Sequence, residues 1–484
     1  MLPDIDSVRK KKQPACFIVL LILAGCLLRF KGLTYQSLWF DELASALISD
    51  PASAFLSVIK DTLQDNHPPL YQVLLWAWYN FFGYTEFSGR SLSAIIGSCG
   101  IIAMYYLARE LFNSRIAFYS ALISVFNYFL IFYSQETRSY ALLFLLTCIS
   151  WYFFLQIMRQ KRKWPYVAYT VSTVFLLYTH YYGFLVLLSQ VTILFVFLQF
   201  RIKNLAELKY FLPAMGVLLL SIIPLAPYMF AMATRESWWL EQPAPWFIIG
   251  YIRKYFDSYI LTVVFCVLIV FGIKTTLHVR ESAENFKWPL VLILIWLGIS
   301  YLVPYIRGFV SLPMLHVRYT IICLPAIIML VALGINNIRK PGTRNLIIAL
   351  VAFGSFMTLN YTIEYYTKID KEQYREAITS VLKLYGQEPV YACHSRSINT
   401  YLKLLGSPVR SFSYQNIIPV LERDNINEKI WVISSTKHKC DKFVNLIKTK
   451  LKNGSLYATE NIRLEDMVVY RLTGIRQGEK TGGS

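Results

Sequence analysis

The chain has 484 residues, 56% of them hydrophobic and 16% aromatic, with a formal charge of +19. Apolar runs recur from Ala15 to about Tyr361, each near the roughly 20 residues that a helix needs to cross a bilayer core, which excludes a water-soluble enzyme. The positive charge falls in short Lys/Arg blocks between those runs, the pattern of membrane topology, so no nucleic-acid partner is expected.

Arg9, Lys10, Lys11 and Lys12 precede the first run, Ala15 to Leu28, as in a signal peptide. The sequence then continues Arg29-Phe30-Lys31 with no small-residue cleavage site, so an uncleaved span is expected, starting in the cytoplasm and ending outside. A long first loop, residues 31–89, follows. It holds Asp41 and Glu42, an amphipathic stretch from Leu43 to Lys60, and Asp65-Asn66-His67-Pro68-Pro69-Leu70. The run Leu70 to Phe82 is apolar but short, opens on Pro-Pro and carries Tyr71, Trp76, Trp78 and Tyr79, features of a helix lying in the interface.

The further spans expected are Leu92–Ala108, Ile116–Tyr133, Tyr140–Met158, Tyr166–Tyr182, Phe184–Phe200, Tyr210–Phe230, Tyr259–Ile273, Pro289–Tyr305, Tyr319–Ile338 and Leu346–Tyr361. With the first, that predicts about 11 transmembrane helices. The basic blocks Arg109/Arg115, Arg159–Lys163, Arg201/Lys203/Lys209, Lys274/Arg280/Lys287 and Arg339/Lys340/Arg344 then all lie inside. If Leu70–Phe82 crossed instead, these blocks would flip outward. The expected organisation is a transmembrane domain over 1–361 and an extracytoplasmic α/β domain over 362–484. Its helical patterns are Lys371–Tyr385, Ser397–Leu405, Ile417–Arg423 and Lys437–Leu451; its strands are Pro389–Ala392, Val409–Ser413 and Lys429–Ser434, with a hairpin Leu456–Glu460/Asp466–Leu472. Six cysteines read as small membrane-core residues; Cys393 and Cys440 lie in the tail, where a disulfide between them and two free thiols are both open readings.

On this topology the unusual polar groups gather on the outside face. They are Asp41, Glu42, His67, Arg90, the run Ser134 to Tyr140, His180, the aromatic loop around Trp238-Trp239, Arg307, and His316 to Tyr319. Ionisable groups at a membrane edge read as lining a polar cavity. For Asp41 the plain alternative is a cap on a helix starting at Glu42. For each arginine it is a side chain snorkelling to the headgroups, for His67 a helix-positioning role, and for His180 and His316 a hydrogen-bonded structural histidine. Glu136 has the plain reading of a partner for Arg138.

The order Trp39-x-Asp41-Glu42, His67-Pro68-Pro69-Leu70-Tyr71, Arg90, Ser134-Gln135-Glu136-x-Arg138-x-Tyr140-Ala141-Leu142 and Arg318-Tyr319 resembles bacterial members of glycosyltransferase family 39. That group is similar to protein O-mannosyltransferases and lipid A aminoarabinose transferases, all of the GT-C fold. The resemblance covers about residues 15–200 and, more loosely, 300–330; Tyr374-Arg375-Glu376-Ala377 resembles the start of the extracytoplasmic domain in such members. It implies an inner-membrane, multi-pass enzyme with an extracytoplasmic active site, moving a hexosyl or pentosyl group from a polyprenyl-phosphate-linked donor to an envelope acceptor (protein, lipid A or polysaccharide). Such transfer needs a base for the acceptor hydroxyl and cations for the departing phosphate. The resemblance assigns the base to Asp41, with Glu42 orienting it, binding acceptor or contributing to a metal site. Adjacent carboxylates suit double displacement poorly, so inversion is expected. Arg138 and Arg318 lead as phosphate ligands because a guanidinium offers two parallel hydrogen bonds and stays charged; Arg90 and Arg307 follow. His67, Tyr71, Glu136, Tyr140 and His180 complete the candidate substrate-binding set. No cofactor is certain; a divalent metal on Asp41, Glu42 and His67 stays open, with no diagnostic ligand spacing. The alternative function is a secondary transporter or a lipid- or polysaccharide-handling membrane protein without transferase activity. Against transport, no inverted repeat and no matched pair of broken helices is visible.

Overall fold

The computed structural model describes residues 15–65, 67–159, 163–201, 211–234, 240–278, 283–422, 429–435, 441–453 and 456–474. They form two compact units: Met1–Lys31, Ala54–Leu75 and Arg90–Lys368 in one, and Gly32–Ser53, Trp76–Gly89 and Ile369–Ser484 in the other. Trp238, Trp239 and Cys440 lie outside the described residues.

The first unit is helical. Seven of its described helices are long and apolar enough to cross a membrane: Glu86–Leu111, Tyr140–Arg159, Phe211–Thr234, Tyr259–His278, Lys287–Val310, Tyr319–Asn336 and Pro341–Thr362. Ser114–Phe126 and Tyr128–Ser134, bent by 60°, make an eighth if taken as one span, and Cys16–Phe30, Trp164–Leu177 and Gly183–Val196 are shorter apolar helices. Leu70–Phe82 forms a helix of 13 residues. At 1.5 Å per residue that is about 20 Å, well under the roughly 30 Å hydrocarbon core.

The bend has a chemical cause. Asn127 is extended (φ −69°, ψ 118°) and its Oδ1 accepts from Leu130 N at 2.9 Å, so one helix ends and the next begins at this residue. Carbonyls at the end of the first helix then need donors. The buried Arg29 supplies them, with Nη2 donating to Ser124 O at 3.1 Å and Nη1 to Val125 O at 3.5 Å. Gln135 caps the other end of the arrangement: its Nε2 donates to Arg29 O at 2.9 Å and Lys31 O at 2.8 Å, where the first helix finishes. Gly97 lets these parts meet, since a Cβ there would stand 2.0 Å from Ser134 Oγ. Elsewhere Gly334 brings two helices together, because a Cβ would fall 2.1 Å from Leu268 O.

The second unit is built on a five-stranded sheet of order β2-β1-β3-β5-β4, with β1 Val390–Ala392, β2 Ser411–Ser413, β3 Ile430–Ser435, β4 Leu456–Arg463 and β5 Met467–Gly474. β1 pairs in parallel with β2 and β3, and β5 runs antiparallel to β3 and β4. β3 is buried along its whole length, as an Ile-Trp-Val-Ile run in a central strand should be. Its Ile430 and Val432 pack with Phe443 and Ile447 of the helix Asp441–Lys452 and with Leu472 of β5. The stretch Leu43–Lys60 is not one helix: Phe40–Ile48 and Phe55–Gln64 flank a turn at Pro51, where Ala52 N donates to Asp50 Oδ1 at 2.8 Å. The tail's first helix starts at Tyr374, not Lys371. Asp370, Lys371 and Glu372, just before it, are drawn off into other bonds, described below.

Candidate active site

The first unit assembles a buried cluster of cations, imidazoles and phenols. His67 precedes two prolines that open the helix Leu70–Phe82, where missing N–H groups cost nothing. Leu70 N donates to Tyr178 O at 2.9 Å, which fixes this loop against the Tyr178–Tyr182 turn that carries His180. Tyr71 OH lies 2.8 Å from Ser93 Oγ, and Ser93 Oγ reaches Arg138 O at 3.5 Å. Arg138 stands in the loop between the bent helix pair and Tyr140–Arg159, the loop that Gln135 fastens to the end of the first helix.

The protonation pattern follows from the partners. Arg138 Nη2 is 2.7 Å from His67 Nε2, and a guanidinium can only donate, so Nε2 carries the lone pair and Nδ1 the proton. Tyr182 N donates to His180 Nδ1 at 3.1 Å, which leaves the His180 proton on Nε2. Neither His67 Nδ1 nor His180 Nε2 has a hydrogen-bond partner among the described residues. Burial, then Arg138 and Arg318, hold His180 far below the usual imidazole range, at about 3. Burial, then Arg138, His180 and Arg318, push His67 down as well. Both are therefore neutral at physiological pH, and the positive charge belongs to the arginines. The rings of His67 and His180 lie 5.1 Å apart, and Tyr319 lies 5.0 Å from His180 and 6.4 Å from Tyr140. His67, His180, Tyr182, Arg307 and Tyr319 line a cavity of about 310 Å³ whose remaining wall is mostly apolar, with Met229, Met232 and Met314.

Of the expected set, the structure thus brings together His67, Arg138, Tyr140, His180 and Arg318. Tyr71 turns its hydroxyl to Ser93. Arg90 and Glu136, both buried, lie near Tyr365 and act on it in opposite senses: its phenol is raised by burial, then by Tyr128, Tyr366 and Glu136, and lowered by Arg90. Arg307 spends its Nη atoms on Leu312 O at 3.1 Å and Ala233 O at 2.9 Å, a structural use. His316 Nδ1 accepts from Arg318 N at 3.3 Å and so shapes the turn that presents Arg318.

Asp41 and Glu42 belong to the second unit. Trp39 occupies the position preceding the helix Phe40–Ile48, so Asp41 is the second helical residue and not its cap. A carboxylate in the first turn is favoured by the helix dipole. Glu42 is fully buried; its Oε2 accepts from Lys371 Nζ at 3.0 Å and, more loosely, from Trp39 N at 3.5 Å. Glu42 is thus paired with a cation, and His67 sits beside guanidinium charge. Among the described residues no group of three or more His, Cys, Asp or Glu is arranged to hold a metal. Cys393 is disulfide-bonded.

Sequence reasoning passed over Gln135 and Arg29 as the braces of the Arg138 loop, and Lys371 and Glu372 as partners of the Asp41 helix. Only the adjacent opposite charges Lys371-Glu372, just before Tyr374-Arg375-Glu376-Ala377, offered a signal.

Residues 66–230 match the family model described as dolichyl-phosphate-mannose-protein mannosyltransferase. No curated protein sequence matches the chain. Among solved structures, ArnT from Cupriavidus metallidurans in the apo state aligns with a TM-score of 0.64 at 13% identity, over 94% of this chain and 98% of that one. The same protein bound to undecaprenyl phosphate gives 0.63 at 12% identity, over 95% and 98%. The archaeal oligosaccharyltransferase AglB from Archaeoglobus fulgidus, in complex with an inhibitory peptide and a dolichol-phosphate, gives 0.55 at 11% identity, over 94% and 74%. At such identities the likeness is one of fold: the chain is a multi-span helical membrane protein of the GT-C fold.

Proposed function

We propose that this protein is an extracytoplasmic-facing membrane glycosyltransferase that moves a hexosyl or pentosyl group from a polyprenyl-phosphate donor to a hydroxyl of an envelope acceptor, with inversion. The observation that carries the reading is the cluster of the buried Arg138 and the half-buried Arg318 around two neutral histidines, each with one N–H that has no hydrogen-bond partner among the described residues, beside a largely apolar cavity. Such a cluster suits a phosphate whose other end is a hydrocarbon chain. The undecaprenyl phosphate and dolichol-phosphate named for two proteins of like fold support the same donor class.

In the reaction the acceptor oxygen attacks the anomeric carbon while the bond from that carbon to the phosphate oxygen breaks. The electron pair leaves on the phosphate, where Arg138 and Arg318 stabilise the growing charge. Asp41 takes the acceptor's proton. One displacement on one carbon inverts it. The proposed topology has eleven spans, a cytoplasmic N-terminus, and both Asp41 and the C-terminal unit outside, with Leu70–Phe82 in the interface.

Asp41→Asn tests the base. It is nearly isosteric, and Asp41 does not cap the helix, so insertion and donor binding should persist. Transfer of labelled sugar from the lipid phosphate should fall by about 10² to 10⁴, the usual worth of general-base catalysis. Near-normal transfer by the inserted variant would end the case for Asp41. Sugar that instead crosses intact vesicles without leaving its lipid would favour a transporter.

A further inference from the structure

The chain that leads into Asp41 is held at nearly every step by residues from the start of the tail, all within the second unit. Arg375 donates through Nη1 to Thr34 O at 2.8 Å and through Nη2 to Tyr35 O at 2.9 Å. Gln36 Oε1 accepts from both Asp370 N and Lys371 N at 2.9 Å. Ser37 Oγ donates to Glu372 O at 2.5 Å, and Leu38 N donates to Tyr401 OH at 3.2 Å. Tyr401 in turn bonds Glu86, which also pairs with Arg375 at 2.8 Å.

The last two residues before Asp41 are held by carboxylates. Glu42 Oε2 takes Trp39 N, and Glu372 Oε2 takes Phe40 N at 3.3 Å. These are orphan donors at a helix start, where an accepting side chain fixes the first turn. The Glu372 carboxylate is itself held, since its Oε1 accepts from Ser435 Oγ at the end of the central strand β3, at 3.2 Å. Lys371 completes the arrangement by pairing with the fully buried Glu42 at 3.0 Å. Taking a paired cation away from a buried carboxylate is costly, so Lys371 and Glu42 constrain each other. This is why the tail's first helix begins at Tyr374: Asp370, Lys371 and Glu372 are used as a clasp.

We propose that Lys371 and Glu372 are positioning residues for Asp41, and that the C-terminal unit therefore acts on the rate of transfer by setting the first turn of the helix Phe40–Ile48. The proposal rests on the reading of Asp41 as the base. Neither residue touches substrate; each acts through the backbone and through Glu42. The aim of a base is steep in its effect, since a small displacement of a reacting group costs on the order of 10²-fold.

The test is a double-mutant cycle on the full-length protein in proteoliposomes, with kcat and KM read for a polyprenyl-phosphate sugar. Lys371→Met should lower kcat by about 10- to 100-fold with KM for the donor changed by less than about threefold. Lys371→Arg, which keeps the charge, should recover most of that loss. In the Asp41→Asn background the same Lys371→Met change should cost almost nothing further, because the group it aims is gone. A purely structural lysine would lower the residual rate of Asp41→Asn by the same factor as in the parent, and that result overturns the proposal. So does an unchanged kcat in Lys371→Met. If Lys371→Met fails to insert, Ser37→Ala, which removes only the hydroxyl bond to the Glu372 carbonyl, enters the same cycle under the same criterion. Near-normal transfer by Asp41→Asn alone sinks the base itself, which is a separate failure and is seen first.

Discussion

Replacing Arg138 probes the donor side of the reaction. Its Nη2 stands 2.7 Å from His67 Nε2, and the residue is 5% exposed, so a substitution removes charge from a buried site. A hydrogen bond to a charged partner is worth about 1.5–3 kcal/mol in such a setting. At about 1.36 kcal/mol per decade, Arg138→Gln should raise the donor dissociation constant by roughly 10- to 150-fold. The same contact strengthens as the phosphate departs, so kcat should fall too. Arg138→Lys should recover part of both, since a point charge does not reproduce the planar fork. His67→Phe keeps a ring beside His180 but deletes the lone pair that orients the guanidinium; it should fall between the parent and Arg138→Gln. The assay is equilibrium binding of the polyprenyl phosphate together with kcat/KM for sugar transfer. Should Arg138→Gln bind donor within about threefold of the parent while Asp41→Asn is inactive, the phosphate is held elsewhere and the reasoning fails.

Two further outcomes follow from the same structure. The folded-state pKa of His180 is depressed to about 3, so below about pH 6.5 the unfolded chain binds a proton that the folded one refuses. Stability from this group is complete above about pH 6.5 and is lost progressively as pH falls toward 3; thermal unfolding in detergent should show a shallower acid decline for His180→Gln, and identical slopes would refute the buried neutral imidazole. For topology, a reporter fused after Gly83, which ends the helix Leu70–Phe82 in a positive-φ turn, should be active only as an extracytoplasmic fusion, whereas cytoplasmic activity would sink the eleven-span arrangement.

Hydrophobic run length made the helices legible, because a bilayer imposes one dimension on every span. The strands of the tail were equally visible: Ile430–Ser435 reads as a buried central strand from its apolar residues alone. The extent of Leu456–Arg463 was not, since the strand runs on past the register shift against β5 between Ala458 and Glu460 through mostly polar residues. Broken elements were harder. Ile116–Tyr133 reads as one continuous span, yet Asn127 divides it, and what stabilises the break is Arg29, nearly a hundred residues earlier. No local pattern encodes a partner at that separation.

The site divides along the same line. Arg138, His67 and His180 stood out as polar groups at membrane edges, a local anomaly that the sequence displays. Their protonation did not, because it depends on which nitrogen meets Arg138 and which meets Tyr182 N. Asp41 and Glu42 looked equivalent as neighbours in sequence. In the fold, one sits half-exposed in the first turn while the other is buried against Lys371. A helix turns its consecutive residues about 100° apart, so adjacent carboxylates must face different surroundings. That rotation places one carboxylate at partial exposure and turns the other into the interior against Lys371, a partner that comes from the tail, more than three hundred residues later.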